Sequence, residues 1–530
     1  MRAAGTPGCG TVGDGATLVK LSPRTYKLEW DTHAWAGVVA SLLLFVIFYC
    51  GVFALFRQEL ETWQEPVVRP ATPGASFDGV MQRLRTSQRI ARGSSVGIAT
   101  SDWTDVVHVW ITPPTASEAV ELRLEPRSGL VLPKSSRLSE ELYRLHFLDQ
   151  LPGGMQLAGL CGVALLVVTV TGLVIHLKDL RRQWWRFRPA QPLRFSASDA
   201  HKVLGVFGLP FVVMLSWSGS VICLFGLLAS AVTPVLYPGT PERFDAMRGY
   251  QGLERQATGV DATALSLDSL VDCARAEVAD AGAARYVELQ HYGDAAAAVH
   301  VYFESAALGG SSDVLVDAVT GSVLESSRQA AAPARRFEAV LFDLHFARYG
   351  GQLLKFTYAL LGLGVCAVIV SGNVIWLERR DPLRARRGHR LLERATVGVC
   401  AGLVFASAIY LLANRVLPAT LPARPDWEFG LFLAVWAIAA GVAFAPRWSS
   451  RALLRVAAGA SAVAFTLGLL LDVLSRVRAS AAFQGSAWLV VDCFLLLLAA
   501  VSAGLARSLR GHVGAPRRAG RMGFGSWMRS

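Results

Sequence analysis

Five histidines stand at the ends of long apolar runs, and four of them form matching pairs. His33 lies in Asp31-Thr32-His33 and His201 in Asp199-Ala200-His201, each just ahead of such a run. His146, in Leu145-His146-Phe147, and His345, in Leu344-His345-Phe346, each precede another run by a few residues. The fifth, His176, closes the run that begins near Leu157. An imidazole at a membrane edge is polar, titratable and costly to bury. Recurring pairs of them point to metal or haem ligation between helices, and so to a transmembrane electron carrier.

The elements that must position these rings are apolar. The chain has 530 residues, 53% of them hydrophobic and 17% charged, with a mean hydropathy of +0.39. That excludes an ordinary soluble protein and a disordered one. A membrane span needs about 20 mostly apolar residues. Eight segments qualify: 34–56, 155–177, 203–228, 353–377, 395–413, 429–445, 453–474 and 487–506. The net charge of +12 does not argue for nucleic acid, because Lys and Arg cluster in the short connections 178–202, 378–394 and 446–452 and in the C-terminal tail. The excess of cationic residues on cytoplasmic loops puts these connections, and both termini, on the cytoplasmic side of the membrane. Cys50, Cys161, Cys223, Cys366, Cys400 and Cys493 lie inside spans, with no CxxC or CxxCH. That argues against c-type haem attachment and a cysteine-held iron–sulfur cluster. The first twenty or so residues have no apolar core; they read as a loose cytoplasmic tail or as sequence upstream of the true start.

Two long connections, 57–152 and 229–352, then face outward. The first predicts a helix over 80–90, a strand over 106–111 and a hairpin over 120–132. The second predicts a helix over 265–280, strands over 286–290 and 299–303, and a hairpin over 314–324, with Gly at each hairpin turn. Span, outward α+β module, span is thus a duplicated unit. The organisation expected is a tail (1–29), a first repeat (30–180), a basic loop (181–198), a second repeat (199–380), a four-helix membrane bundle (381–506) and a basic tail (507–530).

Asp31-Thr32-His33-Ala34-Trp35-Ala36-Gly37, Phe56-Arg57-Gln58-Glu59-Leu60, Thr171-Gly172-Leu173-Val174-Ile175-His176, Asp199-Ala200-His201-Lys202-Val203-Leu204-Gly205 and Leu344-His345-Phe346-Ala347-Arg348-Tyr349-Gly350-Gly351 together resemble the PepSY-associated transmembrane family. The resemblance covers 24–380. It implies an α-helical polytopic membrane protein with two periplasmic α+β PepSY-like modules. Its best understood members resemble di-haem ferric-siderophore reductases of the bacterial inner membrane. That implies two b-type haems held by histidines of the first four spans, and electron delivery to ferric chelates in the periplasm.

With the duplication, equivalent positions face each other. His146 and His345 then ligate a periplasmic haem, and His33 and His201 a cytoplasmic one. His176, whose counterpart is Trp376, breaks the symmetry. It stands as an alternative to His33 or His201, as a partner for a propionate, or as a neighbour of the electron donor. The bland reading of a membrane-edge histidine is an interfacial anchor, and the recurrence in both halves weighs against it. That surface reading is kept for His108, His291, His300, His389 and His512. Arg181, Arg182, Trp184 and Trp185 could bind haem propionates or anionic lipid, and the favoured reading is positive-inside topology and an aromatic belt. Asp472 and Asp492, acids near the outer ends of spans seven and eight, are candidate functional groups, or equally members of a structural ion pair with Arg415, Arg476 or Arg478. No cytoplasmic connection carries GxGxxG or is long enough for a nucleotide domain, so electrons are expected from a membrane quinol or a separate reductase. Rival readings are a non-enzymatic protein that binds or regulates a periplasmic partner, and a transporter.

Overall fold

The computed structural model describes residues 22–65, 76–87, 90–100, 106–116, 118–125, 129–176, 193–238, 255–278, 282–305, 307–326, 333–379, 387–478 and 486–509. Arg181, Arg182, Trp184, Trp185, His512, the tail over 1–21 and the side chain of Arg478 lie outside the described residues. The helices are α1 (Pro23–Ala54), α2 (Arg57–Trp63), α3 (Phe77–Ser87), α4 (Leu138–His146), α5 (Gly154–His176), α6 (Leu193–Phe207), α7 (Leu209–Leu236), α8 (Leu267–Ala276), α9 (Pro333–Phe346), α10 (Gly351–Glu378), α11 (Arg387–Ala395), α12 (Gly402–Val416), α13 (Arg424–Phe444), α14 (Ser450–Arg478) and α15 (Ser486–Ser508). A π-turn, Thr396–Ala401, joins α11 to α12 in one span.

Eight helices among the described residues, of 21 to 32 residues each, are long and apolar enough to cross a membrane. All eight expected spans are present; the fifth and sixth open early, at Arg387 and Arg424, and the first and third begin where prolines set the helix start. α1 starts at Pro23 rather than near residue 34, because the Ser22 hydroxyl accepts from Thr25 N (3.1 Å) and Pro23 suits a first helical position. His33 therefore lies within the helix, not ahead of it. The third span starts at Leu209, because Pro210 cannot continue the helix from α6. His201 sits on that separate helix.

The strands are β1 (Ser95–Ala99), β2 (Val107–Thr112), β3 (Val120–Leu124), β4 (Ala284–Gln290), β5 (Ala298–Phe303), β6 (Ser312–Asp317) and β7 (Val323–Ser326). They form one antiparallel sheet, ordered β3-β2-β1-β4-β5-β6-β7. The two modules thus share a sheet, closed where β1 pairs with β4 (Val96 opposite Leu289, Ile98 opposite Val287). The sequence reading missed β1, which is five residues long with a central glycine. Gly97 is required there, since a Cβ would fall 2.6 Å from the Tyr286 hydroxyl. The hairpin glycines Gly129 and Gly321 have φ of +71° and +77° as expected, although the return strand of the first hairpin is reduced to the single bridge Leu124–Val131.

Helices α3 and α8 share a core with the sheet and cap each other across the two modules. Asp78 accepts from Leu267 N (2.8 Å) and the Ser266 hydroxyl, and Asp268 accepts from Phe77 N (2.8 Å) and the Ser76 hydroxyl (2.5 Å). Each acid satisfies free N–H groups at the other helix's N-terminus. This reciprocal exchange gives the duplicated unit a local two-fold.

In the membrane, α1 packs against α5 and α10, and α5 against α7. The last four spans lie against α1: Tyr49 meets the Ser407 hydroxyl (2.7 Å), and Phe494 packs on Phe53 and Phe56. Gly398 and Gly402 let α13 approach closely, since a Cβ on Gly398 would lie 2.9 Å from the Ala440 Cα.

Candidate functional site: two facing histidine pairs

The four-helix core holds two cavities, one above the other. A cavity of about 530 Å³ surrounds His33 and His201 at the end of α1 away from the sheet. A cavity of about 180 Å³ surrounds His146 and His345 on the sheet side. Leu44 and Leu165 border both. The ring centres of His33 and His201 are 6.2 Å apart, and those of His146 and His345 are 6.1 Å apart. Two imidazoles on opposite sides of one metal ion, each at a metal–nitrogen distance of about 2 Å, have ring centres about 6 Å apart.

Three of the four rings are held in the same way. His33 Nδ1 donates to the Val168 carbonyl (2.8 Å), His201 Nδ1 to that of Val368 (2.9 Å) and His146 Nδ1 to that of Ile47 (2.7 Å). A carbonyl only accepts, so Nδ1 carries the proton and Nε2 keeps its lone pair, the form a metal ligand needs. His345 differs. Its Nδ1 meets the Ser218 hydroxyl (2.9 Å), which itself donates to the Met214 carbonyl (2.7 Å).

Beneath each ring lies a helix glycine. A Cβ on Gly51 would stand 2.8 Å from the His146 ring, one on Gly172 2.8 Å from His33, one on Gly219 3.0 Å from His345 and one on Gly372 3.2 Å from His201. Glycine inside a helix costs about 1 kcal/mol relative to alanine, and here it lets a ring lie against the backbone. Each glycine follows a small residue: Cys50, Thr171, Ser218 or Ser371. Sequence reasoning missed this set as a set. Its signal is that Gly51 follows His33, and Gly219 follows His201, by the same interval of 18 residues.

α4 and α9 end at equivalent points. After His146-Phe147 and His345-Phe346 come Leu148 and Ala347, with φ of 59° and 51°. A left-handed non-glycine residue at both equivalent positions marks a strained turn that the surroundings hold in place.

The structure brings together both pairs named from the sequence. His176 lies in the wall of the larger cavity, one turn past Gly172, while the ring opposing His33 is that of His201. Trp376 occupies the equivalent place on α10 and stacks edge-on against Trp35 at 5.9 Å. Asp472, buried, pairs with Arg415 (3.0 Å) and with the buried Arg476, and Asp492 accepts from Trp63 Nε1 (3.3 Å). His108 is more than the surface residue expected. It stands between Glu61 (3.3 Å) and Glu121 (3.4 Å), joining β2 to α2. Burial alone would lower its pKa, but hydrogen bonds to both carboxylates and the charge of Glu61 hold it above the usual value. His300 pairs with Asp313 across β5 and β6 (2.9 Å).

The sequence profile of the PepSY-associated TM region matches residues 30–379. The chain belongs to that family. It is also similar to an uncharacterised protein of Pseudomonas aeruginosa, 34% identical over 310 residues, which are 55% of this chain and 75% of that one. The profile match begins just before His33 and ends at Arg379, so all five candidate histidines fall within the PepSY-associated TM region and the last four spans fall outside it.

Proposed function

We propose that this protein is an inner-membrane electron-transfer protein with two b-type haems, one between His33 and His201 and one between His146 and His345, that reduces a ferric siderophore in the periplasm. The observation that supports it is the doubled geometry: two imidazole pairs with ring centres 6.2 and 6.1 Å apart, each ring over a glycine. The residues fit the group. The donors are neutral imidazoles, the cavity walls are largely apolar, and the glycine cradles set each ring without crowding it. Bound there, haem would supply a one-electron carrier, held by His33 and His201 at one site and by His146 and His345 at the other.

The chain's own part is to hold and orient. Carbonyls of Val168, Val368 and Ile47 and the Ser218 hydroxyl fix the four rings, and apolar walls limit water. The basic connections support a cytoplasmic origin of electrons, from a membrane quinol or a separate reductase, and a periplasmic sheet. Reduction favours iron release, because ferrous iron is less charged and softer than ferric iron and hard oxygen chelators hold it less tightly.

Absorption spectra of the purified protein, oxidised and dithionite-reduced, with a pyridine haemochrome assay, test this reading. About two non-covalent b haems per chain are expected. A colourless protein made with adequate haem supply would overturn it in favour of a non-enzymatic membrane protein that binds or regulates a periplasmic partner. A transporter would also be colourless, and substrate uptake would tell the two apart. For sidedness, a cysteine at Ser311 should label from outside the cell and one at Ser196 should not.

A further inference from the structure

The last four spans carry none of the candidate ligands, yet they reach the helix that ends in His146. Glu428, at the start of α13, is fully buried. It accepts from the Ser136 hydroxyl (2.5 Å) and from Asn414 Nδ2 (3.2 Å), and pairs with Arg424 (3.0 Å). Arg424 also donates to the Ser135 carbonyl (2.9 Å). Ser136 and Gln64 satisfy the free N–H groups that open α4: the Ser136 hydroxyl takes Leu138 N (3.2 Å) and the Gln64 side chain takes Ser139 N (3.0 Å). Asn414 Nδ2 donates in turn to the Gln64 carbonyl (3.4 Å), and Asp426 pairs with Arg137 (2.5 Å). A buried polar network whose members are mutually bonded specifies one geometry, because any slippage strands a desolvated group.

The equivalent arm in the second repeat is held otherwise. α9 is tied to the sheet module, where Asp343 accepts from Gly309 N (2.8 Å). Each sheet-side histidine thus ends a helix fixed by a different part of the protein.

We infer that the last four spans act as a clamp, through Glu428 and Ser136, that positions α4 and so sets the placement of His146 opposite His345. The inference rests on the reading of this pair as a ligand pair. Glu428, Ser136 and Asp426 are positioning residues and touch neither ring.

Hydrogen exchange and reduced-state spectra of the full-length protein test it. In Ser136→Ala and Glu428→Gln, amide protection of residues 138–146 should fall about tenfold, with 333–346 and 402–444 unchanged. The spectrum of the sheet-side site should shift while the far site stays as it was. Glu428→Asp, which keeps the charge, should restore part of both signals. Asp426→Ala, on the exposed rim, should give a smaller change in the same direction and serves if the buried variants fail to fold. Loss of protection spread equally over 402–444 would mean a general loss of stability and overturn the clamp. Unchanged protection in 138–146, or loosened amides with an unshifted spectrum, would overturn it as well. Wild-type protein without haem would defeat the ligand reading, and the exchange measurement would still decide whether the clamp exists.

Discussion

The far pair, His33 and His201, and the sheet-side pair, His146 and His345, come from one repeated unit but are anchored differently. Both far rings donate to backbone carbonyls, from Val168 and Val368, and their planes stand at 88°. On the sheet side one ring uses a carbonyl and the other a serine hydroxyl, and the planes are tilted by 36°. A carbonyl acceptor belongs to the helix and no side-chain substitution removes it; a hydroxyl can be deleted by a single change. The far pair is therefore held by the backbone fold, and the sheet-side pair depends in part on side chains and on what packs around its helices.

Glycine substitutions should have the largest effects. Gly172→Ala and Gly51→Ala each put a methyl group where the facing ring now lies, at 2.8 Å. Each should lose about one of two haems, from the far and sheet-side sites respectively. Gly372→Ala, at 3.2 Å, should lose less, and Gly226→Ala, which meets open space and lines neither cavity, should retain both. Haem stoichiometry across this series checks the cradle, and equal loss at Gly226 and Gly172 would contradict it.

A smaller effect separates the two kinds of anchor. Ser218→Ala should shift the spectrum and potential of the sheet-side site, because His345 loses its partner. Ser371→Ala should change the far site little, because the Val368 carbonyl still holds His201. The reverse ranking in a redox titration would break the comparison. Ring orientation offers a third contrast: the near-perpendicular far pair should give the more anisotropic low-spin ferric resonance.

The smallest effect is one of pH and belongs to the sheet side alone. His108 has a raised pKa in the fold, so its link to Glu61 is fully present below the unfolded value of about 6.5 and is lost as pH rises through the folded value. Glu61 is lowered: burial opposes this, and the hydrogen bond and charge of His108 outweigh it. Its share is present above an unfolded value of about 4.3 and is lost as pH falls through the folded one. Unfolding followed between pH 6 and 9 should show a change of about 1 kcal/mol or less, which His108→Gln removes. An unchanged pH profile in that variant would rule out this link.

What the sequence made legible follows from physical range. The eight spans were readable because apolar runs of that length have few alternatives, and the two pairs because a duplicated unit places equivalent residues opposite one another. The start of α1 at Pro23 was hidden by the polar and charged residues Arg24, Lys27, Glu29 and Asp31 that precede the apolar run. β1 was hidden because five residues around Gly97 carry too little pattern, and with it went the single sheet. The glycine cradles were obscured because glycine is common in membrane helices, and only a facing ring gives Gly51 or Gly219 its meaning. The carbonyl anchors leave no trace in sequence at all, since every residue has one.

The central claim is that each iron is shared by the two repeats. The most direct test is haem content in His146→Ala, His345→Ala and the double variant, each purified with the wild type. Each single variant should lose about one haem of two. The double variant should match either single one, because both changes act on one site. A double variant that loses both haems where each single loses one would show that these histidines serve different irons and would contradict the account.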